Sequence, residues 1–151
     1  MPKIERTITV PGRAEEVFAY LADFTTTEEW DPPTQSTDLL SGDGGVGTRY
    51  RNVSKLLGKE TEVVYTVAVH DPPRRLELTG DTSSMSLHDT ITVEQRGDDV
   101  QVTYWAEFHP EGAAKVAMPL MPPALKVLGD AASEQMEECL RRLPGARGPG
   151  A

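Results

Sequence analysis

The chain has 151 residues, 38% of them hydrophobic and 26% charged, which fits one folded domain and is too apolar for a disordered polymer. Its formal net charge of −9 repels a phosphate backbone or an anionic lipid surface, and Arg74-Arg75 and Arg141-Arg142 lie in no longer basic run, so no nucleic-acid partner is expected. A single cysteine, Cys139, excludes an internal disulfide or a cysteine metal cluster. The absence of a signal-like N-terminus or of an apolar run near ~20 residues points to a cytoplasmic protein without integral membrane association.

Ile4, Arg6, Ile8 and Val10 alternate with polar residues, the period of a strand with one buried face, and Pro11-Gly12 ends it. Ala14, Val17, Phe18 and Leu21 then recur at three- and four-residue spacing opposite Arg13, Glu15 and Glu16, which predicts a short amphipathic helix. Thr26 and Glu29 have capping-box spacing for a second short helix, stopped after Trp30 by Asp31-Pro32-Pro33. From there to about residue 109, turn residues separate alternating runs: Val63 to Val69, Leu76 and Leu78, Met85 to Val93, and Val100 to Phe108. Short turns between such runs predict an antiparallel sheet with one face covered. The cover is a last helix whose Leu125, Leu128, Ala132, Met136, Cys139 and Leu143 form one stripe, with Glu137–Arg141 and Glu138–Arg142 paired outside. The expectation is an α+β domain over 1–143: a curved antiparallel sheet of about seven strands around a long C-terminal helix, with two short helices after the first strand. Residues 144–151, rich in Gly and Pro, are expected to form a flexible tail.

That order resembles the START-like superfamily, also called the helix-grip or Bet v 1-like fold, and in particular its bacterial polyketide cyclase/dehydratase-type members. Ile8-Thr9-Val10-Pro11-Gly12 leading into Glu16-Val17-Phe18-Ala19-Tyr20-Leu21 is similar to the family's opening strand and helix, and Glu29-Trp30-Asp31-Pro32 to its short second helix. Gly45-Val46-Gly47-Thr48-Arg49-Tyr50 resembles its third strand, and Val69-His70-Asp71-Pro72-Pro73-Arg74-Arg75-Leu76 its fourth hairpin. The resemblance implies a pocket for a hydrophobic small molecule and no shared catalytic signature, so no catalytic residue is carried over. Met118-Pro119-Leu120-Met121-Pro122-Pro123 departs from the pattern and suggests a kinked lid or a loop at the pocket mouth.

Strand parity points Tyr50, Asn52, Tyr65, Leu78, Met85, Leu87, Asp89, Tyr104 and Phe108 inward, and Trp30, Met118, Met121, Leu125 and Leu128 are placed to close the ends. All but Asn52 are the candidate ligand-binding set; packing of a solid core is the competing role for each. Asp89 shares parity with Leu87 and Ile91, so an unbroken strand aims a carboxylate into apolar space, at a cost of several kcal/mol unless paired or protonated. A bulge would turn it to solvent instead, and Arg6 is a conceivable partner. His70, His88 and His109 show no metal-ligand spacing, and Gly42 to Gly47 fits neither phosphate-binding pattern, so neither metal nor cofactor is expected. Cys139 on the apolar stripe reads as a small hydrophobe. Trp105 has outward parity and marks a candidate homodimer contact.

Three functions compete. The first is binding of a polyketide, quinone or lipid-like molecule in an internal cavity. The second is a polyketide cyclase/dehydratase-type enzyme using cavity Tyr and Asp groups. The third is a co-chaperone-like interaction module working through the convex face.

Overall fold

The computed structural model describes residues 3–56, 58–111 and 122–147. Strand β1 (Lys3–Pro11) is followed by helix α1 (Ala14–Ala22), a 3-10 turn (Phe24–Thr26) and helix α2 (Thr27–Trp30). Six strands come next: β2 (Thr34–Ser41), β3 (Arg49–Leu56), β4 (Lys59–Asp71), β5 (Arg75–Asp81), β6 (Met85–Arg96) and β7 (Asp99–Pro110). Helix α3 (Pro122–Arg141) and a 3-10 turn (Pro144–Arg147) complete the order. The seven strands form one antiparallel sheet in the order β1-β7-β6-β5-β4-β3-β2, so the first strand closes onto the last and β2 is left at the far edge. This is the helix-grip α+β architecture.

Alternation in the sequence becomes two cross-strand rows on the inner face. One runs Tyr50–Tyr65–Gly80–Leu87–Phe108 and the next Val67–Leu78–Asp89–Ala106–Ile4, each residue opposite its neighbour on the adjoining strand. Asp89 is the one charged residue in either row. Gly80 is required by the first: a Cβ there would lie 2.9 Å from both the Tyr65 ring and Val63 Cγ1.

The buried face of α3 is wider than the periodicity predicts, since Leu140 is fully buried and Gly129 is buried as well. Gly129 lets the helix approach β1, because a Cβ there would sit 2.8 Å from Ile4 Cγ2, a stiff β-branched side chain. In an open helix Gly→Ala gains close to about 1 kcal/mol. Here Gly129→Ala is expected to lose about 1 kcal/mol or more by overpacking. A melting temperature higher than that of the parent would disprove the close approach.

Three local expectations are corrected. Thr26 and Glu29 do not form a capping box: the Thr26 hydroxyl turns back to the carbonyls of Tyr20 and Asp23, while the Glu29 carboxylate accepts from the Tyr20 hydroxyl. Asp23 instead caps the preceding turn, accepting from Thr25 N–H. The stretch from Gly45 to Thr48 is turn and not strand. Gly42, Gly44 and Gly47 have positive φ, Thr48 Oγ1 accepts from Gly44 N–H, and β3 begins only at Arg49. Arg6 does not reach Asp89; it pairs with Asp130 on α3 at 2.9 Å.

At the opposite edge, hydroxyl and amide groups tie α2, β2 and β3 together. Asn52 donates to Thr34 and Thr37, Ser54 donates to Asn52, and the Thr27 and Thr37 hydroxyls lie 2.6 Å apart. The outward Thr37 N–H is taken by the Glu28 carboxylate at 2.8 Å. Trp105, half-buried on the outer face, donates its indole N–H to Glu5, its cross-strand partner. In the C-terminal turn, Gly145 N–H donates to Glu16 at 2.9 Å.

Candidate functional site

Between the sheet and α3 lies a cavity of about 140 Å³. Ile4, Val63, Leu87, Ala106 and Phe108 supply its apolar sheet wall, and Leu128, Gly129 and Ala132 its helix wall. The polar groups facing it are few: Asp31, Ser54, Thr61, Tyr65, Thr82, Asp89 and Tyr104.

Asp89 is 3% exposed and points inward, which settles the choice left open by strand parity. Its Oδ2 accepts from the Tyr104 hydroxyl at 3.0 Å, a diagonal reach from the neighbouring strand. Its Oδ1 has no hydrogen-bond partner among the described residues, alone among their buried side-chain polar atoms. Burial pushes the Asp89 carboxyl up to about 7; the Tyr104 hydrogen bond opposes the rise and the Asp31 charge adds to it.

Asp31, the residue that stops α2, turns its carboxyl to the same cavity. Burial raises it to about 6, against the hydrogen bond its Oδ2 accepts from Thr34 at 2.6 Å. The hydroxyls of Tyr65 and Tyr104 are held well above the ordinary tyrosine range, first by burial and then by the Asp89 charge. Two carboxyls that titrate near neutrality and two hydroxyls that stay protonated thus share one small apolar space. Such a set can orient a polar ligand atom, and it can donate or accept a proton.

The candidate ligand-binding residues separate. Tyr65, Met85, Leu87, Asp89, Tyr104, Phe108 and Leu128 line the cavity. Leu78 is fully buried beside it in the core. Trp30 does not close an end. It packs edge-on against Tyr104 at 5.7 Å between ring centres and against Phe24 at 6.5 Å, behind the cavity wall. Tyr50, on the same inner face, is buried against Phe24 and borders instead an open recess of about 1100 Å³ between α1, the β2–β3 turn and the β4–β5 turn. That recess is larger but exposed to solvent, and no buried polar atom without a partner faces it. Met118, Met121 and the Leu125 side chain lie outside the described residues.

Sequence reasoning missed Asp31, Ser54 and Thr82. Continuing the parity of Tyr50 and Asn52 by two residues would have found Ser54. Asp31 follows a helix end, where no period dictates direction, and its Asp-Pro-Pro context reads first as a stop signal. Among the described residues no group of three or more His, Cys, Asp or Glu is placed to hold a metal ion. No described helix is long and apolar enough to cross a membrane.

Residues 1–144 match the family model described as polyketide cyclase / dehydrase and lipid transport. The chain belongs to this family. Among solved structures, this polyketide cyclase / dehydrase family member is similar to an aromatase/cyclase, Zhui, from Streptomyces sp. R1128. The TM-score is 0.73 at 17% identity, covering 95% of this chain and 98% of that one. A START superfamily protein from Mycobacterium smegmatis gives a TM-score of 0.69 at 13% identity, covering 91% and 98%. A major latex-like protein from Panax ginseng gives 0.68 at 15% identity, covering 91% and 96%. At these identities the likeness is one of fold. No curated protein matches the family member by sequence.

Proposed function

We propose that the protein binds an apolar small molecule in the cavity between the sheet and α3. One observation carries this reading: an apolar, sheltered space contains a buried carboxyl with one oxygen left without a partner. A core that merely packs seldom leaves such an atom, since burying a polar group without a hydrogen bond costs about 1–3 kcal/mol. About 140 Å³ is close to the size of an engineered cavity that takes up one benzene ring. A single ring or a short chain end therefore fits, and a whole polyketide or quinone would have to enlarge the cavity.

Native mass spectrometry of the protein from its own host, followed by extraction, tests this. The expected result is a retained apolar molecule at one per chain, lost from Ala132→Phe, which fills the space from α3. An empty parent that also ignores neutral single-ring and short-chain apolar probes would overturn it.

A second reading is favoured by the Asp89–Tyr104 pair. A carboxyl with a value near 7 is poised to move protons, as an enzyme of the cyclase/dehydratase type requires. Asp89→Asn separates the two: a carrier keeps its ligand with altered affinity, whereas an enzyme keeps its ligand and loses turnover.

A further inference from the structure

The polar lining of the cavity is one-sided in charge. Asp89 presents an unpartnered carboxyl oxygen at 3% exposure, and Asp31 presents a second carboxyl from the end of α2. No lysine, arginine or histidine lines the cavity among the described residues. Arg6, which passes beside the lining residue Gly129, is committed elsewhere: with Lys126 it binds Asp130, at 2.9 Å each. Around the carboxyls stand three aromatic rings, those of Tyr65, Tyr104 and Phe108.

We propose that the ligand is a small apolar amine, its ammonium held by Asp89 and Asp31 and its hydrocarbon part packed among the rings. The proposal rests on the cavity being a ligand site. An anionic ligand such as a fatty acid would meet two acids and no base, so it would be rejected. A neutral hydrocarbon would fill the space but leave Asp89 Oδ1 without a partner. An ammonium supplies a donor for that atom, neutralises a carboxylate, and gains from aromatic faces within reach. Removing an ammonium from water costs several kcal/mol, yet half of the ion pair, the carboxyl, is already desolvated by folding and adds little to the cost of binding. The groups facing Asp89 are Tyr104 on β7, which donates to it, Tyr65 on β4 and Asp31 beyond α2; of these only Asp31 carries charge near neutrality. Both acids are ionised at pH 8 and increasingly protonated toward pH 5, so the preference for a cation belongs to the higher pH.

The test uses three single-ring probes of nearly equal size, toluene, benzylamine and benzoate, titrated into the intact protein and followed by the methyl NMR signals of Met85 and Leu87. At pH 8 benzylamine is expected to bind at least tenfold more tightly than toluene, and benzoate not to bind. The benzylamine advantage over toluene is expected to shrink severalfold at pH 5 and to fall within threefold in Asp89→Asn, each ratio being taken within one protein at one pH. Equal binding of toluene and benzylamine, or binding of benzoate, would overturn the amine assignment and leave the cavity reading intact. Failure of all three probes, toluene included, would overturn the cavity itself and the amine with it.

Discussion

Replacing Asp89 by Asn is expected to make the protein more stable at pH 8 and to change it little at pH 4. In the unfolded chain the carboxyl releases its proton near 3.8; in the folded protein it holds it until about 7. Between those values the native state binds a proton that the unfolded state has lost. Stability is therefore fully present below about pH 4, declines as pH rises through 7, and is flat beyond. A rise from 3.8 to about 7 corresponds to on the order of 4 kcal/mol. Asp31, raised to about 6, acts with the same sign in the same window, so the parent-minus-variant difference reads Asp89 together with its coupling to Asp31. Urea unfolding at pH 4, 6 and 8 for both proteins provides the measurement. Parallel stability curves would mean that Asp89 is paired or solvated in solution, and the candidate site would fall with it. A gain in stability on removing a charged residue is also what a functional group would show, since strain tolerated for function is released when function is given up.

Trp30→Ala is expected to cost about 3–5 kcal/mol, the range for emptying a large aromatic site in a packed core. Trp30 is 1% exposed, its indole N–H donates to Thr26, and its ring supports both Phe24 and Tyr104. Since Tyr104 is the one hydrogen-bond donor to Asp89 among the described residues, the damage should extend to the cavity. Circular dichroism through urea unfolding reads the stability. A loss under about 1 kcal/mol would show that neighbouring rings collapse into the space and that Trp30 is not the support of the cavity wall.

Much of the frame was legible in the residues because the strands bury one face. Period-two alternation placed Leu87, Asp89, Tyr104 and Phe108 on the same side, and the register then aligned them across strands. The helical stripe through Ala132, Met136 and Cys139 was legible for the same reason. What alternation does not encode is depth along the cavity axis. Tyr50 and Tyr65 are direct cross-strand partners, yet one borders an outer recess and the other the enclosed space, since the sheet curves between them. Nor does it encode side chains at element ends, which is why Asp31 went unnoticed and why Arg6, on the apolar parity of β1, finds Asp130 across the helix instead of Asp89. The START-like resemblance supplied the topology and could not supply these, because members share the frame and not the groups inside it.

The hydrogen bond from Thr37 N–H to Glu28 bears on how the molecule avoids its neighbours. A strand at the rim of an open sheet offers free backbone donors to any extended chain, and β2 also carries Leu39 and Leu40 about half exposed. Glu28 occupies one of those donors and sets a negative charge beside it, so a second β2 approaching edge to edge meets a blocked position and like charge. A carboxylate that looks like ordinary helix-surface polarity thereby guards the rim of the sheet against templated self-association.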